Sequence, residues 1–241
     1  MNKRNTLNSL VCAVGLATMS SALFVDSAQA FTINFGSGSQ SSNDPKTGAA
    51  AFADFNFIQD GTNVKLNLTV KNTTGSTSFG AGATESNLTG FGFDLASGVS
   101  VVNKELGSKL DTYLTNSEFQ PFGNLGLVFA DNANLKGGQP DGLLEGGSNT
   151  MSLLLGSNLD AKTVENAFYN GFKNGTLDVG VRFQAVNAGA GSDKLLGGTF
   201  SAPPNDNPGA AVPEPTTVAG WLLAGGVLGK IKQMKGKKQE K

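Results

Sequence analysis

From Phe52 to Lys71 apolar and polar side chains change places at nearly every step. Phe52, Asp54, Asn56 and Ile58 interleave with Ala53, Phe55 and Phe57; beyond Asp60-Gly61, Val64, Leu66, Leu68 and Val70 interleave with Lys65, Asn67, Thr69 and Lys71. A period of two belongs to the extended strand, where successive side chains point to opposite faces, and a helix has no use for it. The segment therefore predicts a β-hairpin that turns at Asp60-Gly61 and shows the Lys/Asn/Thr side of its second strand to water.

The same reading extends along residues 31–201. Strands are expected at Phe31–Phe35, Gly90–Leu95, Val99–Val102, Leu125–Ala130, Thr150–Leu155, Leu177–Val186 and Gly197–Phe200, separated by turn-forming clusters such as Gly137-Gly138, Gly146-Gly147 and Asn187–Ser192. One helix breaks the series. Asp160 can cap a run in which Val164, Ala167, Phe168 and Phe172 recur at helical spacing, and Asn174-Gly175 can end it. A second short helix is expected around Lys104–Leu114, and Phe79–Leu88 reads as a long surface loop. The fold class is thus mainly all-β: an antiparallel β-sandwich with one or two short helices, flanked by an N-terminal signal helix and a C-terminal apolar helix. With 16 Phe against two Tyr and one Trp, the core has to be built from phenylalanine and aliphatic residues, and Phe31, Phe35, Phe52, Phe55 and Phe57 are expected in it.

Composition removes several kinds of chemistry. The chain has no histidine, hence neither the commonest general base nor the commonest transition-metal ligand. Its single cysteine, Cys12, lies in the N-terminal apolar run, which leaves no disulfide framework for residues 31–201. Residues 31–211 hold ten basic and sixteen acidic side chains, a net of −6 that speaks against a nucleic-acid partner.

The two ends read as addresses. Lys3 and Arg4 precede an apolar stretch from Leu10 to Phe24, followed by Ala28-Gln29-Ala30 with small residues at the −3 and −1 positions. This is the layout of a secretory signal peptide over 1–30, cut after Ala30 by a signal peptidase once the translocon has taken up the apolar helix; the competing reading is an uncleaved anchor. At the other end a Pro/Asn-rich linker spans 202–211, and then Val212-Pro213-Glu214-Pro215 opens the segment 212–241. Its apolar part, residues 216–229 with Trp221, Leu222 and Leu223, covers about 21 Å as a helix against roughly 30 Å of hydrocarbon. Lys230, Lys232 and four further lysines against one glutamate give the tail a net of +5, which places it in the cytoplasm and residues 31–201 outside.

The order Pro213-Glu214-Pro215, short apolar helix and basic tail at the extreme C-terminus resembles the PEP-CTERM sorting signal. The resemblance covers residues 212–241. It implies that an exosortase, a membrane enzyme of the cysteine-protease type, recognises Pro213, Glu214 and Pro215 and processes the chain for the cell surface or the extracellular matrix. The glutamate between two prolines has a logic of its own, because the prolines hold the segment extended and present one carboxylate at a fixed position.

Inside the domain, chemistry has few footholds. A Ser–His arrangement is impossible, and carboxylate pairs could be drawn from Asp94, Glu105, Glu118, Asp131, Asp141 and Glu145 among sixteen scattered acids. Asp131, Asn134 and Asp141 are oxygen donors that could meet calcium, though without the spacing of a known calcium loop. Glu85-Ser86-Asn87-Leu88-Thr89 has the form of an asparagine glycosylation acceptor. The expectation is an exported, non-catalytic structural or interaction protein of the cell surface or matrix, with no cofactor. Its partners would be the translocon, signal peptidase, an exosortase and the membrane. The alternatives are a glycan-binding module associated with exopolysaccharide and a calcium-stabilised hydrolase.

Overall fold

The computed structural model describes residues 29–133, 135 and 141–201. The predicted hairpin is β3 (Ala51–Asp60) and β4 (Asn63–Asn72), paired in strict antiparallel register from Ala51↔Asn72 to Asp60↔Asn63. The loop is Gly61-Thr62, and Gly61 sits at φ 60°, the positive value that the first residue of such a tight turn needs. Ala53, Phe55, Phe57, Val64, Leu66, Leu68 and Val70 are all fully buried, so the alternation reports the true inside and outside.

Ten further strands complete two sheets. They are β1 (Gln29–Phe35), β2 (Gln40–Ser41), β5 (Asn87–Phe93), β6 (Ser100–Glu105), β7 (Thr112–Glu118), β8 (Asn124–Ala130), β9 (Ser148–Gly156), β10 (Val179–Gln184), β11 (Asp193–Leu196) and β12 (Thr199–Ser201). The first sheet runs β12-β1-β3-β4-β9-β6, the second β2-β11-β10-β5-β8-β7, and every pairing is antiparallel. One core lies between them. Phe55 of the first sheet packs edge-on against Phe93 of the second at 5.5 Å, and Phe35 against Phe91 at 6.4 Å. Such edge-to-face contacts add to the area the rings remove from water.

Helix α1 (Ala161–Asn174) begins where Asp160 accepts a hydrogen bond from the Thr163 amide at 2.7 Å and ends at Gly175, whose φ of 74° is left-handed. Phe168 touches Phe57 in one sheet and Phe93 in the other, and Phe172 packs on Phe31 and Phe55, so the helix bridges the two sheets. Ala167, expected on the buried side, is exposed, and Glu165 takes an inward position at 1% exposure.

Other expectations are corrected. No second helix forms at Lys104–Leu114. The spacing of Leu106, Leu110 and Leu114 imitates a helical face, but the run belongs to two edge strands, β6 on β9 and β7 on β8, with Leu110 buried at the crossing between sheets. Phe79–Leu88 is not simply a surface loop: Ala83, Ser86, Asn87 and Leu88 are buried. What holds its polar part inside is Asn72, whose amide donates to the Ser86 carbonyl at 3.0 Å and the Leu143 carbonyl at 2.8 Å. Phe31, Phe35, Phe55 and Phe57 are core residues, whereas Phe52 points outward with the polar face of β3. Among the described residues no helix is long and apolar enough to cross a membrane. The expected signal and C-terminal helices lie outside the described residues.

Candidate ligand-binding face

The outer surfaces of the two sheets are built differently. On the second sheet, Phe119, Leu125, Val128 and Ala130 form a small buried cluster with Leu114, Phe122, Leu135 and Leu196 packed on it. Glycines make room for this cover. A Cβ on Gly92 would lie 2.8 Å from Leu125 Cδ1, and one on Gly180 2.9 Å from Phe119 Cε1. Beneath it Arg182, 7% exposed, donates to Thr89 Oγ1 at 2.9 Å. Burial lowers the pKa of Arg182, and the nearby Asp131 charge opposes that effect.

The first sheet leaves its outer face half-exposed to solvent, with Asn56 Oδ1 buried within it. Strand register sets the side chains in rows: Thr32, Asp54, Thr69 and Thr150; then Ala30, Asn56, Asn67, Ser152 and Glu105; then Asn34, Phe52, Lys71 and Ser148; then Ile58, Lys65, Leu154 and Asn103. Neighbouring strands lie about 4.8 Å apart, so each row is a ladder of hydroxyl, amide and charged groups at regular intervals. Thr69 and Thr150 hydroxyls stand 3.4 Å apart and Ser152 donates to Glu105 at 3.1 Å. Partial burial on this face raises the pKa of Asp54. Half-buried Phe52, between Asn34 and Lys71, is the aromatic surface of the array. At the hairpin end, Lys65, Asn103, Lys104, Glu105, Ser152 and Leu154 line a shallow cleft of about 130 Å³. Such a face is suited to multiple weak hydrogen bonds with an extended polar ligand, and less to enclosing a small molecule.

Two larger grooves lie elsewhere. One of about 370 Å³ is bordered by Leu114, Glu118, Gln120, Leu135 and Lys194, where the Lys194 ammonium donates to the Gln120 carbonyl and lies 5.8 Å from the Phe119 ring centre. Another, of about 320 Å³, lies between the end of α1 and the β11–β12 turn.

The residues singled out from sequence are distributed as follows. Pro213, Glu214, Pro215, Trp221, Leu222, Leu223, Lys230 and Lys232 lie outside the described residues, as do Ala28 and Asn134. Ala30 is in β1. Asp131 and Asp141 do come together, through the Asp141 amide donating to Asp131 Oδ2 at 3.3 Å, but Asp141 also pairs with Lys109 at 2.5 Å on the surface. Among the described residues no three His, Cys, Asp or Glu side chains gather as a metal site. Two of the acids considered for hydrolysis, Asp94 and Glu145, act as braces. Asp94 accepts from the amides of Gly126 at 2.8 Å and Asp178 at 3.0 Å, and Glu145 accepts from the Ser86 amide. Asn87 is 5% exposed within β5, so its side chain is closed to a transferase once the domain has folded.

Sequence reasoning missed the outward face as a site, although the alternation that located the strands also ordered its residues. No protein-family model matches the chain, and no curated protein and no solved structure matches it.

Proposed function

We propose that the chain is an exported protein of the cell surface or extracellular matrix, delivered by an exosortase-type system, and that its β domain serves as a non-catalytic interaction module. The observation that carries this reading is the order of parts: Lys3-Arg4, an apolar run, Ala28-Gln29-Ala30, the domain, Pro213-Glu214-Pro215, a short apolar stretch and a lysine-rich end. Each part has a separate physical role in export and retention. Together they describe a globule that crosses a membrane and is then held by a segment barely long enough to span it. Apart from Gln29 and Ala30, which open β1 inside the first address, the strands up to Ser201 fall between the two addresses, which supports the reading.

A glycan ligand is the second reading, favoured by the outer face of the first sheet. Hydroxyl and amide groups in register, with the Phe52 ring beside them, complement the alternating polar edges and apolar faces of sugar rings.

Reporter fusions at Ser201 and after Lys241 test the topology: the first is expected to be active only outside the cytoplasm, the second only inside. A cytoplasmic Ser201 fusion overturns the proposal. Retention of the domain on polysaccharide from the native host tests the second reading.

A further inference from the structure

The first strand contains the bond that a signal peptidase has to cut, and we infer that leader removal is confined to the period before this strand docks. The inference rests on the reading of Ala28-Gln29-Ala30 as the cleavage signal. In β1, Gln29 faces Phe57, Ala30 faces Asn56 and Phe31 faces Phe55, so the Ala30–Phe31 peptide lies within the ladder to β3 and not in a tail ahead of it. The residue just past the cut is sealed in the core. Phe31 is 1% exposed, its ring stacks on Phe55 at 4.9 Å and 11°, and Tyr169 and Phe172 of the helix close over it at 5.5 and 6.3 Å.

A protease takes its substrate as an extended strand, pairing with the substrate backbone and receiving alternate side chains in pockets. The backbone around Ala30 is already committed to β3, and Phe31 would have to leave its place under α1. Folding of the first sheet therefore protects the bond, and a precursor that folds before it is cut keeps its leader.

The cut chain is provided for as well. Hydrolysis adds one water across the Ala30–Phe31 amide, leaving a carboxylate on Ala30 and an ammonium on Phe31. That ammonium is created beside the position where Ala30 faced Asn56. In the uncut chain Asn56 Oδ1 is buried and accepts no hydrogen bond. Buried acceptors are seldom left so, and a new terminal ammonium supplies a donor in the same row. Asp54, one row further along the same face, adds a carboxylate.

The test uses the full-length precursor in detergent with a purified bacterial signal peptidase. One sample is folded; the other is diluted from urea directly into the enzyme. Cleavage after Ala30 is expected to be at least about 100-fold slower in the folded sample, because it must await an opening of the first strand. A Phe31→Ala precursor, less firmly docked, should narrow that ratio. Equal rates for both wild-type samples overturn the inference and leave the leader reading standing, whereas absence of a cut after Ala30 in either sample overturns both. In a second arm, Asn56→Ala is expected to lower the urea midpoint of the cut protein and to leave that of the uncut protein unchanged. An equal fall in both overturns the pairing of Asn56 with the new terminus.

Discussion

A few buried polar side chains fix where the irregular parts of this chain run. Asp193, 1% exposed, accepts from the hydroxyls of Ser41 at 2.7 Å, Ser42 at 3.2 Å and Thr47 at 2.7 Å, and from the Thr47 amide at 3.2 Å. It ties β2 and the following loop to β11. Replacing it strands four donors, and hydrogen bonds to charged groups are the expensive ones to lose. Asp193→Ala is expected to lower stability by about 3 kcal/mol or more in urea denaturation, with Asp193→Asn costing less. Asp54 acts in the opposite sense. Burial raises its folded pKa above 3.8, so the folded state holds the proton more tightly than the unfolded chain does. The resulting penalty is present in full above the raised folded value and disappears as pH falls through it toward 3.8. In the uncut chain Asp54→Asn should therefore raise the melting temperature at pH 7 and lose that advantage on acidification below 3.8, as a paired Tm-against-pH series would register. Asp160 runs the other way. Its bonds to Thr163 lower its pKa, so its contribution is present above 3.8 and lost as pH falls through the lowered value.

At the scale of elements, helix α1 is the piece that joins the two sheets, and Phe168 is its central contact. Phe168→Ala is expected to cost about 3–5 kcal/mol, since a fully buried ring leaves a cavity that β-strands on both sides are too rigid to fill. The glycines under the cover of the second sheet are predicted to resist enlargement. At Gly92 an added Cβ meets the Leu127 carbonyl at 2.8 Å as well as Leu125, so Gly92→Ala should destabilise by about 1–3 kcal/mol in the same assay. The hairpin and the helix were legible because their signals are local: a period of two over twenty residues, and a cap, an apolar stripe and a glycine stop. The strands β7 and β11 were not. Thr112–Glu118 is an edge strand with little buried on either side, and Asp193–Leu196 owes its position to Asp193 and to pairing with β10, neither visible locally. Phe52 shows the same limit in reverse, since hydrophobicity suggested the core while register placed the ring outside.

Taken whole, the molecule has one sheet surface closed by its own side chains and another left open, polar and ordered. The open face could be anticipated from the alternation of β3 and β4, but not its extent, which depends on β1 and β9 aligning with them over long distances in sequence. If that face meets the partner, Phe52→Ala combined with Asn67→Ala should reduce retention on host polysaccharide about tenfold while leaving the melting temperature nearly unchanged, because both side chains point away from the core. The proposed export and sorting rest on the two addresses. The most direct measurement is mass spectrometry of both ends of the protein recovered from its native host. The expected result is a chain that begins at Phe31 and has been processed near Pro213, recovered from the cell surface or the surrounding matrix. A cytoplasmic chain retaining Met1 and Lys241 would contradict it.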